Sequence, residues 1–211
     1  MHEEYAPRPM GPAFVKTALM VGVLWAIWLA DQLFDLHLAR FGVRPGETTG
    51  LVGILTAPFI HGDFAHIFAN TLPLFLLGGA LLWAYPRAAP WVVILVVLGS
   101  GLGTWLLARP AYHFGASGLT HGLMMFLFVA GILRRDRPSI VVAMITFFLY
   151  GGMIASIFPQ EPGISFEMHL FGFVAGLIAA VILYPLDPPP PRKRYAWEDE
   201  DEGVDEKESP S

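Results

Sequence analysis

Along most of its length the chain alternates apolar runs with short polar breaks. Each run has about the twenty residues that a helix needs to cross a hydrocarbon core of about 30 Å. Six such runs occur, at residues 13–33, 65–84, 90–108, 116–133, 139–158 and 167–186. They predict an all-α membrane protein, a bundle of six transmembrane helices. Connections after the second to fifth runs are short, which makes successive spans antiparallel neighbours. The connection LHLARFGVRPGETTGLVGILTAPFIHGD, between the first two, is long and partly apolar. It is expected to fold onto the bundle or lie in the interface. The first run is too long for the apolar core of a signal peptide and is followed by five others, so it reads as a retained span.

Composition supports a bilayer as the solvent. Of 211 residues, 55% are hydrophobic and 15% charged, with a mean hydropathy of +0.54. A water-soluble domain cannot hide so much apolar surface. The formal charge of -5 comes mostly from the C-terminal stretch WEDEDEGVDEKE. Cysteine is absent, which excludes a disulfide framework, a thiolate nucleophile and a cysteine metal site.

Basic residues set the expected orientation. If the N-terminus is cytoplasmic, that side collects Arg8, Lys16, Arg87, Arg134, Arg135, Arg137, Arg192, Lys193, Arg194 and Lys207, against Arg40, Arg44 and Arg109 opposite. This bias puts both termini in the cytoplasm. Three regions follow: an N-terminal cytoplasmic segment, 1–12, a membrane domain, 13–186, and a disordered proline-rich and acidic cytoplasmic tail, 187–211. With no transit-like start, a bacterial plasma membrane is the expected location. The bilayer is the expected environment, and nucleic acid is not an expected partner.

Ionisable and amide side chains are expensive inside a bilayer and usually face the bundle interior or a water-filled cavity. Three spans carry such groups at their starts: HGDFAHIFANTLP, GASGLTHG and FEMHLFGFVAG. These are spans two, four and six, which begin on the same, non-cytoplasmic side. His66, Asn70, Ser117, His121 and His169 are therefore expected at one shallow depth. His66 and Asn70, four residues apart, share a helix face and suit donation of hydrogen bonds to an oxyanion. They also suit helix–helix contacts. Gly115 and Gly118 allow close backbone approach around Ser117. Gly172 and Gly176 form a groove on roughly the side of His169, although small residues at such positions are also a packing device. Asp63 is expected to cap span two. His113 is expected to be a loop residue at the interface. His61 and His66 are five apart with no H-E-x-x-H, so neither a metal nor another cofactor is expected. PQEPGIS after span five reads equally as a lid or as part of the packing.

Taken together, HGDFAHIFAN, GASG and HLFGFVAG resemble the motifs of the rhomboid family of intramembrane serine proteases, in the family's order and on its expected helices. The resemblance covers nearly the whole six-span core. It implies that Ser117 is the nucleophile and His169 its base, a dyad without a carboxylate. It further implies that His66, Asn70 and the Ser117 N–H stabilise the oxyanion, with His61 and Gly115 in supporting roles. The implied substrates are transmembrane proteins, cleaved in or near their spans within a water-accessible cavity. His121 stands where the family commonly has a tyrosine packed on the catalytic histidine, and is also a competing base. The tryptophan-arginine pair frequent in the family's first loop is absent, and Arg40 and Arg44 are candidates to anchor that loop. Two other readings remain open from the residues: a catalytically silent rhomboid-like protein that binds transmembrane helices, and a small transporter. The residues do not determine the oligomeric state.

Overall fold

The computed structural model describes residues 9–159 and 163–189. Residues 1–8, most of the tail from 190 onward and part of the lid candidate, 160–162, lie outside the described residues. Six helices are long and apolar enough to span a membrane. We label the α-helices α1 (Gly11–Phe34), α2 (Gly53–Thr56), α3 (Phe64–Ala84), α4 (Ala89–Leu107), α5 (Ser117–Arg134), α6 (Arg137–Tyr150) and α7 (Phe166–Leu183). α2 lies in the first long connection and the other six are the spans. No strand is present among the described residues.

Each span starts where local chemistry allows it. Proline occupies the first turn of α1, α4 and α6, where a missing N–H costs nothing. Asp63 caps α3, Asp136 caps α6 and Ser165 caps α7 through their side chains. Asp63 thus has the capping role expected of it. The fifth span changes its winding part-way along. At Gly151 the α-helix gives way to a 3-10 segment, Gly151–Ile157, where the Gly151-Gly152 pair weakens helical propensity.

α5 runs through the middle of the bundle. Its buried residues, from Gly118 to Gly131, occur on every side of the helix. Outward-facing apolar side chains such as Leu19 on α1, Phe148 on α6 and Ile182 on α7 are exposed, as lipid contact requires. The connection between α1 and α3 folds onto the bundle at the end where α5 starts, one of the two placements expected of it. Val43 and His113 exchange backbone hydrogen bonds of 2.8 and 2.9 Å, and the Trp105 indole donates to the Glu47 carbonyl at 2.8 Å. Arg44 adds to this joint by packing on the Tyr112 ring.

Two polar ties link α4 to α7. At the end where α7 starts, Arg109 meets Glu167, with Nε 3.6 Å from Oε1. At the other end the Asp187 carboxylate accepts from the Arg87 and Ala88 backbone N–H groups at 3.1 and 2.9 Å. That carboxylate faces the N-terminal turn of α4, where negative charge is favoured. His113 is a loop residue, but it is buried. Its Nε2 lies 3.0 Å from the Arg109 carbonyl and its Nδ1 2.6 Å from Ser165 Oγ, so it braces the start of α7.

Candidate active site

The starts of α3, α5 and α7 meet at one end of the bundle. Ser117 is the first residue of α5 and is partly exposed. Ahead of it, Gly115 has φ +120°, a region that disfavours side chains. A Cβ there would also strike the His66 ring. The Gly115 N–H donates to the Ala57 carbonyl at 2.9 Å, and the Ala116 N–H points at His61 Nε2 at 3.4 Å. α5 begins with neither a proline nor a capping side chain. No acceptor takes the Ser117 N–H among the described residues, which leaves it for a ligand.

On α3, the Asp63 carboxylate accepts the His66 N–H at 2.8 Å and fixes the first turn. His66 is half-buried and Asn70 is 6% exposed. Asn70 Nδ2 donates to the His66 carbonyl at 3.0 Å, which uses one of its two N–H groups. The His61 and His66 rings lie edge to face, 5.0 Å between centroids. Burial, assisted by His66, lowers the pKa of His61 to about 4. Its imidazole is therefore neutral near pH 7, as an acceptor of the Ala116 N–H must be.

His169 lies in the first turn of α7, 8% exposed. α5 and α7 approach through glycine: a Cβ on Gly172 would collide with the Gly118 carbonyl, and one on Gly176 with the Gly122 carbonyl. This contact sets the height of His169 against the start of α5. His169 Nδ1 lies 3.1 Å from the Ser156 carbonyl. A carbonyl only accepts, so Nδ1 carries the proton and Nε2 of the neutral ring is the basic nitrogen. Neither His169 Nε2 nor Ser117 Oγ has a hydrogen-bond partner among the described residues. The two are thus not bonded to each other in this structure; apo sites often tighten such bonds only with substrate.

His121 lies between these elements. Its ring stacks on His169, 4.1 Å between centroids and 12° between planes. Its Nδ1 is 2.7 Å from the Ser117 carbonyl. Its Nε2 is 2.8 Å from Ser156 Oγ and 3.2 Å from the Met153 carbonyl. Both nitrogens of this ring are therefore engaged away from Ser117 Oγ. No cluster of metal-ligating side chains occurs among the described residues.

The rhomboid domain matches residues 48–186, from the first long connection to the end of the sixth span. The chain belongs to the rhomboid family. Its relatives include an uncharacterized protein of Mycobacterium tuberculosis, 38% identical over 172 residues covering 77% of this chain and 72% of the relative. An uncharacterized protein of Mycobacterium leprae is 34% identical, covering 80% of this chain and 70% of its own. The Bacillus subtilis protein named "Putative rhomboid protease YdcA" is 28% identical, covering 68% and 71%. Rhomboids include intramembrane proteases and inactive relatives, and this one is an integral, multi-pass membrane protein.

Within this rhomboid, the structure brings His61 against the loop before Ser117, Gly115 against the His66 ring, and His121 against both Ser117 and His169, while Asn70 lies one turn along α3 from His66, to whose carbonyl it donates. Sequence reasoning missed what four residues contribute. Gly122 completes a G-x-x-x-G pair with Gly118, a spacing visible in GLTHG. Ser165 and His113 together brace the start of α7. Ser156 supplies a carbonyl to His169 and a hydroxyl to His121, and no motif marks it.

Proposed function

We propose that this rhomboid is an intramembrane serine endopeptidase acting on peptide bonds in or near the transmembrane segments of other membrane proteins. One observation carries the reading: His169 has its Nδ1 held by a backbone carbonyl and its Nε2 unbonded, on a helix packed through glycine against the helix that Ser117 begins. That geometry suits a general base whose tautomer is fixed without a carboxylate.

In this mechanism His169 Nε2 takes the Ser117 hydroxyl proton as Oγ attacks the scissile carbonyl. The developing oxyanion receives hydrogen bonds from the Ser117 N–H, the second Asn70 N–H and the His66 ring. His169 then protonates the leaving amine and activates a water that hydrolyses the acyl-enzyme ester, releasing the carboxylic acid product and returning the proton to Ser117 Oγ. His61 and Gly115 hold the loop around the serine, and His121 packs on the base. The reaction needs no metal or cofactor. We place the membrane domain at 13–186, both termini in the cytoplasm of a bacterium and the site near the opposite face, following the distribution of Lys and Arg.

The test is cleavage of a reporter transmembrane protein in liposomes. The parent is expected to cleave it and Ser117→Ala to leave it intact; equal rates would overturn the assignment. The unbonded Ser117 Oγ also fits a silent, helix-binding rhomboid. A serine-directed fluorophosphonate separates the two: covalent labelling at Ser117 favours the enzyme.

A further inference from the structure

We infer that the Ser156 hydroxyl, at the end of the fifth span, is a positioning group for the active site, acting through His121. The inference rests on the Ser117–His169 reading given above. His121 Nδ1 faces the Ser117 carbonyl at 2.7 Å. Carbonyls only accept, so Nδ1 carries a proton, and in the neutral ring Nε2 is left as an acceptor. Two groups lie within hydrogen-bonding reach of Nε2: the Met153 carbonyl at 3.2 Å and Ser156 Oγ at 2.8 Å. Only the hydroxyl can donate to an unprotonated Nε2, and it also donates to the Met153 carbonyl at 2.8 Å, so its one proton lies between two acceptors.

A chain of contacts follows. The Ser156 hydroxyl meets His121 Nε2, the His121 Nδ1–H donates to the Ser117 carbonyl, and the face of the same ring carries the His169 imidazole. The ring is buried at 2% exposure. A buried ring with an unserved nitrogen would turn to find a donor, taking both Ser117 and His169 with it. Ser156 is not in α6 proper but in the 3-10 segment Gly151–Ile157. Its hydroxyl therefore ties that segment to the serine's helix, and its carbonyl ties it to His169.

The experiment is a double-mutant cycle on the full chain in liposomes, with Ser156→Ala, His121→Phe and the pair. Phenylalanine keeps a ring to stack on His169 and removes both hydrogen bonds. Ser156→Ala is expected to lower kcat about tenfold with KM nearly unchanged, and Ser156→Thr, which restores a hydroxyl, to recover most of that loss. In the His121→Phe background, Ser156→Ala is expected to cost nothing more. An equal factor in both backgrounds would overturn the proposal, as would a Ser156→Thr variant as slow as Ser156→Ala. The same cycle read in melting temperature serves as the second measurement, and additive shifts there would likewise overturn the coupling. Ser117→Ala tests the underlying protease reading separately: a chain without activity still shows non-additive melting if Ser156 and His121 are coupled.

Discussion

His121 stacks on His169 at 4.1 Å, nearly parallel, while both of its own nitrogens are bonded to other groups. Of these two stacked imidazoles, only His169 has a ring nitrogen without a partner among the described residues. This asymmetry separates the roles of two residues that are chemically identical.

It predicts different outcomes when each ring is removed. His169→Ala should abolish cleavage and fluorophosphonate labelling, because the base is gone. His121→Ala should retain both, with kcat lower by about ten- to a hundredfold, because it removes a packing face and two hydrogen bonds but leaves the base in place. Single-turnover cleavage rates check this; full activity in the first and none in the second would reverse the assignment.

The glycine seam between α5 and α7 predicts a loss of stability. Gly176→Ala places a methyl against the Gly122 backbone carbonyl, and backbone cannot yield as a flexible side chain does. The expected cost is about 1–3 kcal/mol, measured by thermal unfolding in detergent. Gly152→Ala, where a Cβ meets nothing within 4 Å, is the control and should be close to neutral.

Acid should destabilise the chain through His61. Its pKa falls from 6.5 to about 4 on folding, so the folded state resists protonation. Its contribution is fully present above pH 6.5 and is lost as pH falls from there toward 4; the total is at most about 3 kcal/mol. His61→Gln, which offers a non-titrating acceptor to the Ala116 N–H, should flatten the dependence of melting temperature on pH over that window. An unchanged slope would place the acid sensitivity in another group.

The spans were legible because lipid allows few alternatives: an apolar run of that length has to be a helix with its backbone bonds internal. Expected and observed limits of the first four differ by at most two residues. The positions of His66, Asn70, Ser117 and His169 were legible for a related reason, since polar groups at the same end of alternate antiparallel spans have to meet. What the sequence hides is whatever depends on backbone. The Ser156 carbonyl that orients His169 would be present with any residue at that position, so no motif reports it. The burial of His113 was missed because its partners, Arg109 nearby and Ser165 on the next polar stretch but one, become neighbours only once α4 and α7 lie side by side.

Those two helices bear on how the site can change shape. Arg109 and Glu167 join them at one end, and Asp187 joins the turn before α4 at the other. α7 is thus held like a beam with a support under each end. His169 cannot slide along the bundle axis relative to α4 without breaking one support or the other, so the height of its imidazole in the bundle is anchored from both ends of its helix.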